Sequence, residues 1–144
     1  MSIKKRTIDE KTARSMIDAA VDRSKELKKK MCIAITDEAG HLKAFHAMDG
    51  AAHLSIEIAQ NKAWTATAFS MPTHSWWDFI KNDPPLLNGI THTPRLVIYG
   101  GGYPIMEDEQ MIGAIGVSGG HYSDDMEVAR AGLAWHETDL KKKK

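Results

Sequence analysis

The chain has a single cysteine, no excess charge of either sign and no long apolar run, and each absence removes a class of function. Cys32 has no partner within the chain, which excludes an internal disulfide scaffold and points to a reduced protein. Lys plus Arg and Asp plus Glu number 19 each, so global charge steers the chain toward neither nucleic acid nor an acidic partner. No window approaches the roughly 18 apolar residues needed to cross a bilayer. The opening MSIKKRTIDE lacks the apolar stretch of a secretory signal. The expectation is a cytoplasmic protein without a nucleic-acid or membrane partner. Internal repeats and Pro/Gly/Ser-rich linkers are also absent. What is present is 144 residues, 42% hydrophobic and 26% charged, the make-up of one compact domain. Residues 1–140 read as that domain, and Lys141–Lys144 as a basic tail whose like charges keep it solvated.

Hydrophobic spacing orders the elements. A helix is predicted from about Ile8 to Leu27, with Thr7 and Glu10 at capping-box spacing and Met16, Ile17, Ala20 and Val21 on one face. Met31–Thr36 reads as a strand with no strongly polar face, so both of its faces should be covered. After the turn at Asp37–Gly40, His41–Met48 returns as a second strand. A second helix spans His53–Phe69. Pro72–Thr93 is irregular, with a short helix at Ser75–Ile80 that Pro84 and Pro85 keep from continuing. Arg95–Tyr99, Tyr103–Met106 and Met111–Ser118 read as three strands, and Ser123 as the cap of a last helix with Asp124 and Asp125 in its first turn. The order of one helix, two strands, one helix, three strands and one helix predicts an α+β fold with helices packed on an antiparallel sheet.

Seven histidines invite a metal reading, but no HExxH helix, CxxC pair or two-histidine ladder occurs, so no dedicated metal site is predicted. Gly100–Gly102 fits neither nucleotide-binding glycine pattern. Gly101 and Gly102 can admit a ligand to the main chain or present amides to an anion, with His92, Thr93 and Arg95 as nearby donors; a strand-end turn explains them equally well. His74 beside Trp76 and Trp77 can contact a flat apolar ligand, or the tryptophans can bury themselves in a core or interface. His46 with Asp49, and His121 with Tyr122 and Asp125, are candidate acid–base sets, although Asp49 in a turn and Asp125 in a helix start have structural explanations. Lys62 reads as an ordinary helical lysine or as a buried amine, and Cys32 as apolar core. Gly116-Val117-Ser118-Gly119-Gly120 matches the letters of GxSxG but lacks the parallel strand running directly into a helix that a nucleophile elbow needs.

Together MCIAITDEAGHLKAFHAMDGA, NKAWTATAF, MPTH, YGGGYPI and IGAIGVSGGHYSDDMEVARAGLA resemble the GlcG/HbpS-like family, which includes the C-terminal domain of PduO. The resemblance runs from the first helix to about Ala134, and IGAIGVSGG with MDGA and KAWTA is its most specific part. It implies a profilin-like, five-stranded antiparallel sheet packed with helices, a homo-oligomer, and a haem- or corrinoid-related role. Some relatives use a histidine in the N-terminal helix for haem iron, whereas no histidine precedes His41 here. Many relatives carry an arginine before MDGA, where this chain has Ala47. The leading expectation is an oligomeric binding protein for haem or a related planar, carboxylate-bearing ligand, contacted by His74, His92, Arg95, Gly101, Gly102 and His121. The alternative is a cofactor-independent lyase, hydratase or isomerase acting on a small carboxylate. In that case His46, Asp49, His121 or Asp125 moves protons, and Arg95 with the glycine amides holds the carboxylate.

Overall fold

The computed structural model describes Met1–Lys144. Helix α1 (Glu10–Glu26) leads into strands β1 (Cys32–Asp37) and β2 (Leu42–Ala47) and helix α2 (Leu54–Ala68). Two short helices, α3 (Ser75–Ile80) and α4 (Pro84–Gly89), and a 3₁₀ turn at Ile90–His92 precede strands β3 (Gly102–Glu107) and β4 (Gln110–Ser118) and helix α5 (Tyr122–Lys143). The strands form one antiparallel sheet in the order β2-β1-β4-β3.

The alternation of side chains along a strand divides the core in two. Ile33, Ile35, Ile115 and Val117 project to one face, where α1 and α5 cover them with Met16, Ile17, Ala20, Val128 and Ala129. Cys32, Ala34 and Ala114 project to the other face, against Ala59, Ala63 and Ala66 of α2. Small residues on this second face let α2 lie directly on the sheet. A Cβ added at Gly116 would stand 2.0 Å from the Ala59 carbonyl oxygen. Thus β1 is covered on both faces, as its sequence predicts.

The sheet has four strands, not five. Arg95–Tyr99 is not a strand despite its apolar run, because a side chain of α2 takes the place of a ladder partner. The Thr65 hydroxyl donates to the Arg95 carbonyl at 3.0 Å and accepts from the Val97 N–H at 3.0 Å. Other local expectations change for similar reasons. Asp9, not Thr7, caps α1, its carboxylate accepting from the Thr12 N–H at 2.7 Å. His121, not Ser123, caps α5. Pro84 and Pro85 open α4, where a missing N–H costs nothing, and Asp83 caps it. Lys141–Lys143 form the last turn of α5, with Lys143 paired to Asp139 at 2.6 Å. No helix is long and apolar enough to cross a membrane.

Candidate functional site

Where α2, α5 and the glycine run meet, the chain buries an ion pair. Lys62, in the middle of α2, donates from Nζ to Asp125 Oδ2 at 2.8 Å and to the Val117 carbonyl at 2.9 Å; its side chain is 0% exposed and that of Asp125 is 3% exposed. Asp125 Oδ1 accepts from the Gly120 N–H at 3.0 Å. The Tyr99 ring covers the ammonium, its centroid 5.1 Å from Nζ. Burial pulls the Lys62 amine below the usual lysine range and lifts the Asp125 carboxyl above the usual carboxylate range, while each partner opposes the other's shift. Burial and the nearby Asp125 also raise the Tyr99 phenol.

The glycine run threads between these groups because a side chain would not fit. At Gly101, with φ +123°, a Cβ would lie 2.6 Å from Lys62 Nζ and 2.7 Å from the Val117 oxygen; at Gly102 it would lie 2.5 Å from the Lys62 oxygen. The Gly102 N–H donates to the Thr73 hydroxyl at 2.9 Å, and the Val117 N–H donates to the Gly101 carbonyl at 2.9 Å. Both glycines are buried behind the site and serve its packing.

Two cavities open beside the pair. One, of about 500 Å³, lies between the start of α2 (Leu54, Ser55, Ile58), the Ser118–His121 turn and Asp125. The other, of about 350 Å³, is lined by His74, Trp77, Ile98 and Gly100. Tyr99 and Tyr122 line both, so the two form adjoining halves of one aromatic cleft. A separate cavity of about 560 Å³ lies between α1 and β2, rimmed by Asp18, Asp22, Lys25 and Lys30. Its volume is larger, but its rim is mostly charged and it has no aromatic wall.

The sequence-predicted residues divide among these places. His46 and Asp49 line the charged cavity, whereas His121 and Asp125 line the cleft, so the two acid–base sets do not meet. His74 lines the other half of the cleft, its ring 5.6 Å from that of Tyr103. His92 is exposed on the 3₁₀ turn and lines neither half of the cleft. Arg95 is committed elsewhere: Nε donates to Asn61 Oδ1 at 3.1 Å, and the guanidinium lies 5.1 Å from the Trp64 ring centroid. The two tryptophans separate. Trp76 is buried between Phe69 and Phe79, while the half-exposed Trp77 faces the cleft. No three His, Cys, Asp or Glu side chains are grouped to hold a metal ion. Sequence reasoning missed Tyr99 as a wall of the cleft; inside an apolar run it carries no signal.

Residues 8–134 match the family described as haem-degrading protein HbpS-like. The chain is 34% identical over 117 residues to the corrinoid adenosyltransferase PduO of Salmonella typhimurium, a match covering 81% of this chain and 35% of PduO. The chain therefore spans about a third of that protein. Among solved structures, the Klebsiella pneumoniae protein ORFY is 31% identical with a TM-score of 0.86, covering 92% of both chains. A structure of a PduOC:heme complex is 32% identical with a TM-score of 0.82, covering 89% of this chain and 94% of the other.

Proposed function

The chain belongs to the HbpS-like family, and from that premise we propose that it is a cytoplasmic, self-associating protein that binds haem or a related planar, carboxylate-bearing ligand in the Tyr99–Tyr122 cleft. The observation that carries this reading is the pairing of two adjoining cavities, about 500 and 350 Å³, across shared aromatic walls, with an imidazole in each half. A flat macrocycle needs such a slot: extended apolar sides with a few polar groups to fix its orientation. The PduOC:heme relative supports the haem part of this reading, not the choice of cleft.

The residues present fit haem. The His74 side chain, although at the cap position of α3, bonds no backbone amide there, so a ring nitrogen lone pair is available to iron. His121 is less suited: its Nδ1 accepts from the Ser123 N–H at 3.2 Å, which fixes the ring proton on Nε2 and removes that lone pair. Trp77, Tyr99 and Tyr122 would hold the macrocycle's faces and edge, and bound haem would supply an iron centre for redox chemistry. Self-association is supported by the exposed Phe69 and Phe79, which flank the buried Trp76, and a reducing compartment by the lone, buried Cys32. The lyase, hydratase or isomerase alternative has less support, because His46, Asp49 and Arg95 lie outside the cleft that holds His121 and Asp125.

Titration of the purified chain with hemin, followed by absorbance, tests the reading. Saturation at a fixed stoichiometry is expected; weak binding that never saturates would contradict it.

A further inference from the structure

Lys62 is the one charged residue that α2 buries; the others are Ser55, Thr65 and the alanines that lie on the sheet. Apolar side chains in the space of a buried ion pair usually serve a fold at least as well. Three features of the surroundings give the pair a chemical use. The backbone is cleared around the amine: a Cβ at Gly101 would lie 2.6 Å from Nζ and 3.0 Å from the Asp125 Cβ. The amine is also close to the cleft. Asp125 lines the larger half, and the Tyr99 ring, 5.1 Å from Nζ, lines both halves.

Tyr99 is 42% exposed, and an aromatic side chain that open to solvent turns about its own bonds without disturbing the core. Its rotation into the cleft uncovers Nζ. The third feature is electrostatic. Burial pulls the amine down and lifts the carboxyl, so both partners are pushed toward their neutral forms. A neutral amine is a nucleophile toward carbonyl carbon, and an ammonium is not.

We propose that Lys62 captures aldehydes: it forms a reversible imine with a planar aromatic aldehyde seated in the Tyr99–Tyr122 cleft, with Asp125 as the proton carrier. Nζ first gives a proton to Asp125 Oδ2, 2.8 Å away. The free amine adds to the carbonyl carbon, forming the C–N bond, and a second proton moves from nitrogen to the carbonyl oxygen. Asp125 then returns its proton to that hydroxyl, the C–O bond breaks and water leaves. The iminium carries the same positive charge as the ammonium it replaces, so Asp125 keeps a paired cation throughout. Tyr99, Tyr122 and Trp77 supply the flat walls that select an aromatic aldehyde. Haem plays no part in this reaction, so aldehyde capture and hemin binding fail separately.

The test is reductive trapping of the full, folded chain with benzaldehyde and cyanoborohydride at about pH 6, mapped by peptide mass spectrometry. Every other lysine is exposed, and at that pH an ordinary lysine, near 10.4, holds almost no free amine. One benzyl group is expected, on Lys62, at least about tenfold faster than on any other lysine. Non-planar cyclohexanecarbaldehyde should label Lys62 more slowly than benzaldehyde. The variant Lys62→Met/Asp125→Leu, checked by circular dichroism for native structure, should lose the fast label, and urea should slow labelling of Lys62 to the rate of its neighbours. Label spread over the exposed lysines with Lys62 unmodified would overturn capture. So would labelling of Lys62 that speeds up in urea, because the amine would then be reached by unfolding and not through the cleft. Equal rates with the two aldehydes would overturn the aromatic preference.

Discussion

Lys62 Nζ stands 2.8 Å from Asp125 Oδ2 with both side chains sealed from solvent, joining residues 63 positions apart in the chain. The pair fastens the middle of α2 to the first turn of α5, and the cleft opens directly beside it. Removing one partner leaves the other charge buried and unpaired, which costs about 3–5 kcal/mol. Lys62→Met is therefore expected to destabilise the chain by about that much in urea unfolding. The double variant Lys62→Met/Asp125→Leu should recover most of the loss, because apolar side chains can replace a buried pair at little net cost. A double variant as unstable as the single one would count against the pair as the cause.

The contact between α2 and the sheet gives a second prediction. A Cβ at Gly116 would meet the α2 backbone, 2.0 Å from the Ala59 oxygen and 2.5 Å from the Ala63 nitrogen, and neither atom can swing away. Gly116→Ala should cost at least about 2 kcal/mol by overpacking. Gly89→Ala is the control: nothing lies within 4 Å of its added Cβ, and its stability should stay equal or rise slightly.

Acid stability turns on a residue outside the cleft. His136 is buried in α5, and burial holds its imidazole below the ordinary value of 6.5. Glu107, Asp139 and Glu137 resist that shift, and Lys143 adds to it. A folded-state value below the unfolded one means that folding favours the neutral ring. The stability it contributes is present above about 6.5 and is lost as pH falls through the folded value. Asp9 and Asp37, held below their ordinary 3.8, act only in a more acidic window. Between about pH 7.5 and about pH 5 the melting temperature of wild type should fall more than that of His136→Gln. Parallel profiles would remove His136 from the explanation.

Single substitutions divide the candidate ligand contacts. His74→Ala should weaken hemin binding at least about tenfold and change the absorbance spectrum. His121→Ala should leave the spectrum in place, since its Nδ1 is already engaged by the Ser123 N–H. His92→Ala and Arg95→Ala should titrate like wild type, because neither residue lines the cleft. A spectrum that moves with His121 or His92 and not with His74 would contradict the assignment.

What could be read from the sequence was local. The spacing of Met16, Ile17, Ala20 and Val21 marks α1, and the alternation through Ile33 and Ile35 marks β1, because each period is set by the chain's own geometry. The β3–β4 hairpin is equally local. Arg95–Tyr99 has the composition of a strand and is not one, because a hydroxyl 30 residues earlier, on Thr65, takes the Arg95 carbonyl that would otherwise bond in a ladder. Of the site, His74 and His121 could be singled out by type. Their division between two halves of one cleft could not, because Tyr99 and Tyr122 become a shared wall only when α5 folds over the glycine run. Lys62 and Asp125 gave no sign of each other for the same reason: no spacing rule connects side chains that meet through tertiary packing alone.

The measurement that tests the cleft most directly is paramagnetic broadening of the chain's amide resonances by substoichiometric hemin. Broadening centred on Ile98–Gly100, His74 and Tyr122, and sparing Asp18–Asp22 and His46–Asp49, is the predicted result. Broadening centred on the charged cavity between α1 and β2, or spread evenly over the surface, would contradict it.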